Sequence, residues 1–364
     1  MICCIECFKD IELRTMISSY EKKGQCEVCG KENTLIYDTN NDNYLEEYLE
    51  ELIDIYTCEN DLPKEYSKNL LNYVSIELYK KWGIFNIEPE KINELIINIC
   101  PEMYRVNPRI FTGLVGISEL YDKDYLEKNC ILKTYDWKDF VYFIKYTNRF
   151  HSNHINLEIL KTICDNLKIE LKKDAILYRG RISESNGFSK NEMGAPPAKL
   201  VTAGRANSQG ISCLYLADNI NTTIHEIRAR DLDYISVAAF KLKKELKIVD
   251  LTRMDKLSPF SADYDLIWFA TNIDNLRKIE KEIATPLRRQ DSLLDYLPTQ
   301  YISDFVKHIG YDGIKYRSTL SSGNNFAIFN ERFVKCNSVK VYHIDNLDYA
   351  YKELSWNLII KYEH

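Results

Sequence analysis

Residues 199–230 read KLVTAGRANSQGISCLYLADNINTTIHEIRAR, and their reading decides the second half of the chain. The first part is rich in Gly, Ala, Ser and Asn, residues that let a backbone run close to a bound molecule. The run SCLYLAD then reads as a short strand. The end reads as the start of a helix near Asn219, a helix that reaches Glu226. His225 beside it turns to another helix face and reads as structural. Arg205, Tyr215 and Glu226 therefore stand around a loop suited to close approach.

Outward from this stretch the pattern repeats. AILYRGRI (175–182) reads as a strand ending in charge, and YISVAAFKLKKELKIVDL (234–251) as two strands with a charged turn between them. YDGIKYRS and NNFAIF add two more, joined by the turn-rich TLSSGN, with helical stretches at 219–230 and 299–309. The reading is an α+β domain with a mixed sheet over 160–345, followed by an extension at 346–364. Three polar clusters stand at strand ends or a helix start: Tyr178-Arg179-Gly180-Arg181, Arg205 to Glu226, and Tyr316-Arg317-Ser318 with Gly323-Asn324-Asn325 behind it. A planar guanidinium grips two phosphate oxygens at once. A carboxylate suits an oxocarbenium-like charge at a ribose carbon, and tyrosines stack on flat rings. Together they fit a nucleotide-sugar cleft, and spacing alone does not choose the nucleotide.

The first 38 residues carry a different signal. Cys4-x2-Cys7 and Cys26-x2-Cys29, eighteen residues apart, have the spacing of a four-thiolate structural zinc site, with Gly30 where a tight turn is expected. Cys3 is an adjacent spare thiol. Residues 39–155 read as a helical domain: NDNYLEEYLEELIDIY, EPEKINELIINIC and DWKDFVYFIKYTNRF repeat apolar residues at three- and four-residue steps. Among 364 residues, 45% are hydrophobic and 28% charged, ordinary for a soluble globular protein. A net charge of −6 argues against coating nucleic acid. No apolar run is long enough to span a membrane, and MICCIECFKDIELR lacks the pattern of a secretory signal. Eleven cysteines without such a signal point to a reducing, cytoplasmic compartment.

LYRGR, GRANSQGISCLYLADNINTTIHEIRA and GYDGIKYRSTLSSGNNFAIF resemble the three blocks of the RES domain. VAAFKLKKELKIVDLT resembles the segment between its second and third blocks. The resemblance covers about 160–345, and the family's arginine, glutamate and serine would be Arg179, Glu226 and Ser318. It implies an ADP-ribosyltransferase-like fold and a toxin that degrades NAD by hydrolysis or phosphorolysis, often paired with an Xre-type antitoxin. On that carry-over Arg179 and Arg205 would hold the NAD phosphates or an attacking phosphate. Tyr178 and Tyr215 would line the nicotinamide or ribose side. Glu226 would orient a ribose hydroxyl and stabilise positive charge, with Ser318 near it and Asn325 a further NAD-binding residue.

The front half resembles the HEPN/RES N-terminal domain. Arg149-Phe-His-Ser-Asn-His154 matches the HEPN ribonuclease spacing in form, a match that composition alone makes common. That half therefore reads as scaffold, sensor or partner surface. The expected function is a toxin or antiviral defence effector, restrained by its front half or by a regulatory protein, with a homo-oligomer left open. ADP-ribosyl transfer to a macromolecule, or a catalytically silent nucleotide sensor, are the alternatives.

Overall fold

The computed structural model describes residues 1–261, 265–285 and 292–347. Most of the extension expected at 346–364 lies outside the described residues. Three strands near the start, β1 (Ile2–Cys4), β2 (Lys23–Gly24) and β3 (Thr34–Asp38), pair antiparallel in the order β1-β3-β2. Three very short ones, β4 (Thr57–Cys58), β5 (Asn72–Tyr73) and β6 (Leu114–Gly116), pair in the order β4-β6-β5. The later apolar runs form β7 (Lys168–Leu171), β8 (Ile176–Ser183), β9 (Leu214–Ala217) and β10 (Tyr234–Leu242). They continue as β11 (Leu246–Asp250), β12 (Gly313–Arg317), β13 (Asn324–Ile328) and β14 (Val334–His343). These eight make one sheet, ordered β14-β10-β8-β9-β13-β12-β11-β7, so with the helices the architecture is α+β.

The chain folds into two compact units whose segments interleave. One contains residues 1–169, 203–208 and 249–311; the other contains 170–202, 209–248 and 312 onward. In the first unit, helices Glu46–Asp54, Pro89–Ile99 and Trp137–Tyr146 stand where the three-four periodicity placed them. Leu49, Leu52, Leu95 and Ile96 are fully buried in a core that also takes Phe8, Tyr37 and Phe85. Helix Leu266–Ala284 joins that core through Phe269, Ala270 and Ile273, and Phe269 stacks on Trp82 at 5.6 Å. No helix among the described residues is long and apolar enough to cross a membrane.

In the second unit β8 pairs antiparallel with β10 along nearly its whole length, but with β9 only at Tyr178↔Ala217. The sheet is thus two well-paired halves joined by a narrow seam. The charged turn at 243–245 connects β10 and β11, which are not neighbours in the sheet, so the chain passes there from one half to the other. Registers align Tyr178, Ala217, Asn325 and Tyr316 in one row across four strands. Helix Ile220–Glu226 lies over β8 at Gly180, where an added Cβ would sit 2.6 Å from Thr223 Cγ2. Only glycine lets the helix lie that close.

Candidate functional site

The seam row and the overlying helix bring three of the expected residues together. Asn219 Oδ1 accepts the Thr222 N–H at 2.8 Å, and the capped helix ends at Glu226. Ser318 follows the end of β12, and Asn325 is the second residue of β13. Ser318 Oγ and Asn325 Nδ2 each donate to Glu226 Oε1, both at 2.7 Å. The two donors are buried, at 7% and 5% exposure, while Glu226 is half-buried. Both bonds fall on one oxygen, and Oε2 accepts none from the described residues. The carboxylate is held by one atom and open at the other.

The loop between β12 and β13 is tied down by residues that sequence reading did not single out. Asn324 donates to Asp218 Oδ2 through both its backbone N–H and its Nδ2, each at 2.9 Å. Asn219 Nδ2 donates to Asp218 Oδ1 at 2.8 Å, and Ser321 Oγ to Thr222 Oγ1 at 2.9 Å. Gly323 sits against these groups; a Cβ there would lie 2.0 Å from Thr222 Oγ1 and 2.6 Å from Asp218 Oδ1. The Asp-Asn pair after a strand was the available signal, since such residues bind nearby backbone.

Tyr178 shares the seam row and, like Ile220, Ile224 and Ile227, packs against the buried cluster of Ala229, Ile235, Val237 and Ile344. Tyr215 lies opposite Ala327 on β9 and is half-buried. Arg179, next along β8 from Tyr178, turns to the opposite sheet face. Its Nη1 is buried without a hydrogen-bond partner. Burial, reinforced by neighbouring Arg181, pulls its pKa down to about 10, with Glu331 and Cys213 opposing. It remains a cation at neutral pH, with a buried N–H that no described residue satisfies. Arg181 donates to Glu192 O at 2.5 Å and lies 4.3 Å over the Phe188 ring. Arg205 belongs to the first unit, where its Nη1 donates to Ala284 O at 3.2 Å and its carbonyl accepts from Thr299 Oγ1 at 2.8 Å. His225, read as structural, is instead exposed, because the short helix turns that side to solvent.

The four cysteines converge as their spacing predicts. Their sulfurs all lie within 4.8 Å of one another, with Cys4–Cys7 at 3.8 Å, Cys4–Cys29 at 3.5 Å and Cys7–Cys26 at 3.6 Å. A tetrahedral ion with metal–sulfur bonds near 2.3 Å has edges of about 3.8 Å, so the donor set fits zinc. The Cys29 N–H donates to Cys26 Sγ at 3.3 Å, and Gly30 turns the chain with φ of 76°. Such a φ is costly for any residue with a Cβ.

Fold and site together define an α+β protein with a carboxylate clamped at the seam of its large sheet. Residues 176–352 match the family model of the RES domain. Among solved structures, a chain of the M. tuberculosis MbcT-MbcA toxin-antitoxin complex is similar over 50% of this chain and 91% of that one, at 12% identity and a TM-score of 0.30. No curated protein matches the sequence.

Proposed function

We propose that the RES-matched part of the chain degrades NAD by breaking the bond between nicotinamide and ribose. The observation that carries this reading is the pair of hydrogen bonds from Ser318 and Asn325 to one oxygen of Glu226, inside the matched residues. In the proposed reaction the bond from ribose C1′ to the ring nitrogen breaks, and its electron pair cancels the charge of the nicotinamide ring. An oxygen of water or phosphate bonds to C1′; with water, a proton is released to solvent. Positive charge builds on the ribose in between, and a fixed carboxylate stabilises it without reorganising. Glu226 Oε2, left open, has the capacity to accept a ribose hydroxyl.

Arg179, expected to hold a phosphate, faces away from Glu226 across the sheet and stands outside the proposed NAD contacts. Tyr178 and Tyr215, in the same unit as Glu226, complete the proposed NAD contacts. Cys4, Cys7, Cys26 and Cys29 hold a structural zinc ion in this proposal. Unchecked NAD loss would harm the host cell, so the proposal includes restraint, by the zinc-bearing front half or by an antitoxin-like protein.

The test is incubation of the purified full chain with NAD, with and without phosphate, beside a Glu226→Gln variant. Products are followed by chromatography and mass spectrometry. Nicotinamide release that the variant loses supports the reading, and ADP-ribose or its 1″-phosphate then names the nucleophile. Label found on a macromolecule would favour ADP-ribosyl transfer. Absence of release by the wild-type chain under both conditions counts against the proposal.

A further inference from the structure

A cavity of about 270 Å³ lies wholly within the first unit, lined among others by Tyr56, Asn69, Asn72, Glu77, Lys80 and Lys81. Glu77 is 9% exposed. Its Oε1 accepts from Asn72 Nδ2 at 2.7 Å and its Oε2 from the Tyr56 hydroxyl at 3.2 Å. Tyr56 in turn accepts from Trp82 Nε1 at 2.7 Å. Burial and the adjacent Glu77 push Tyr56 well above the ordinary phenol range, so it remains a neutral donor. Every bond to this carboxylate therefore comes from an uncharged group, and no described Lys, Arg or His forms an ion pair with it. A buried carboxylate without a counter-charge is costly, and each of its oxygens keeps room for another hydrogen bond.

The backbone here is unusual as well. Residues Glu77–Lys81 form a π-helical turn, closed by the Trp82 N–H donating to Glu77 O at 3.0 Å. Such turns are rare and recur at functional sites. The turn puts Lys80 and Lys81 on the wall of the same cavity as Glu77. Lys80 is exposed, Lys81 half-buried, and neither ammonium pairs with a described residue. Asp274, also lining the cavity, is already paired with Arg277 at 3.6 Å.

We propose that this cavity binds a small zwitterion with the size and charge pattern of a free α-amino acid. Its ammonium meets Glu77, and its carboxylate faces Lys80 and Lys81. The unpaired anion and the unpaired cations of one small cavity are complementary to such a molecule and to neither half of it alone. Asn69 and Asn72 add amide groups that orient it.

Calorimetry and thermal melting of the full chain against each common amino acid test this, with putrescine and propionate as the amine-only and carboxylate-only probes. The expected result is saturable one-site binding of at least one amino acid with a raised Tm. Glu77→Gln, which keeps the packing, weakens binding by roughly tenfold or more. Lys80→Ala with Lys81→Ala, at the cavity wall, weakens it several-fold and leaves the unliganded Tm unchanged. The proposal is overturned if no amino acid binds saturably, if binding survives both variants, or if putrescine binds as tightly as the best amino acid. None of these readouts involves NAD, so failure here is separate from failure of the Glu226 reading.

Discussion

The cysteine cluster and the Glu226 cluster are both small polar assemblies, and they are built in opposite ways. The first gathers two Cys-x2-Cys knuckles, each closed within one turn of chain. The second joins residues 92 and 99 positions apart through the registers of β9, β12 and β13. The cysteine cluster offers four equivalent donors that face inward on one point. The Glu226 cluster saturates one oxygen and leaves the other open. A closed set of equal donors suits a structural ion, whereas a half-used carboxylate suits chemistry on something that arrives. Local spacing reveals the first kind of site, and only sheet topology reveals the second.

The largest effect is expected at the cysteines. Structural zinc contributes an apparent binding free energy of about 10–16 kcal/mol in small domains, so Cys26→Ala should strip the metal and sharply lower Tm. Metal analysis should find one zinc per chain; well under one equivalent in a folded sample would break the comparison. Next comes Glu226→Gln, expected to slow NAD cleavage by a factor on the order of 10²–10³ while Tm holds. Activity near wild type in that variant would deny the open oxygen a chemical role.

Gly323→Ala should cost roughly 1–3 kcal/mol, read by denaturant titration, because the new Cβ overlaps Thr222 and Asp218. A neutral result would mean the loop shifts freely, contrary to its hydrogen bonds. Ser318→Ala and Asn325→Ala are the smallest, each lowering kcat/KM by about 1 kcal/mol, or roughly fivefold. Because both donate to the same oxygen, the double variant should depart from additivity. Strict additivity would show that the two act separately.

Much of this molecule was legible in its residues. The strands β8 to β13, the four cysteine ligands and the helices at 46–54, 89–99 and 137–146 follow from local patterns, whereas β7 and β14 do not. The small β4-β6-β5 sheet was not legible, because strands of two or three residues carry no periodicity. Nor was the tie from Asp218 to Asn324, whose partners are 106 residues apart. Arg205 and Glu226 lie near each other in sequence, yet residues 203–208 belong to one compact unit and 209–248 to the other.

By itself the sequence determined which residues could act: thiols at metal-ligand spacing, and an arginine, a glutamate and a serine in blocks resembling the RES domain. Those properties are chemical or short-range, set by side-chain type and by one turn of backbone. The tertiary structure alone decided which of them meet. It put Ser318 and Asn325 on one oxygen of Glu226, turned Arg179 to the other sheet face, and left Glu77 buried without a counter-charge. Such outcomes depend on strand register, where a shift of one residue reverses every side chain, and on packing between segments far apart in the chain.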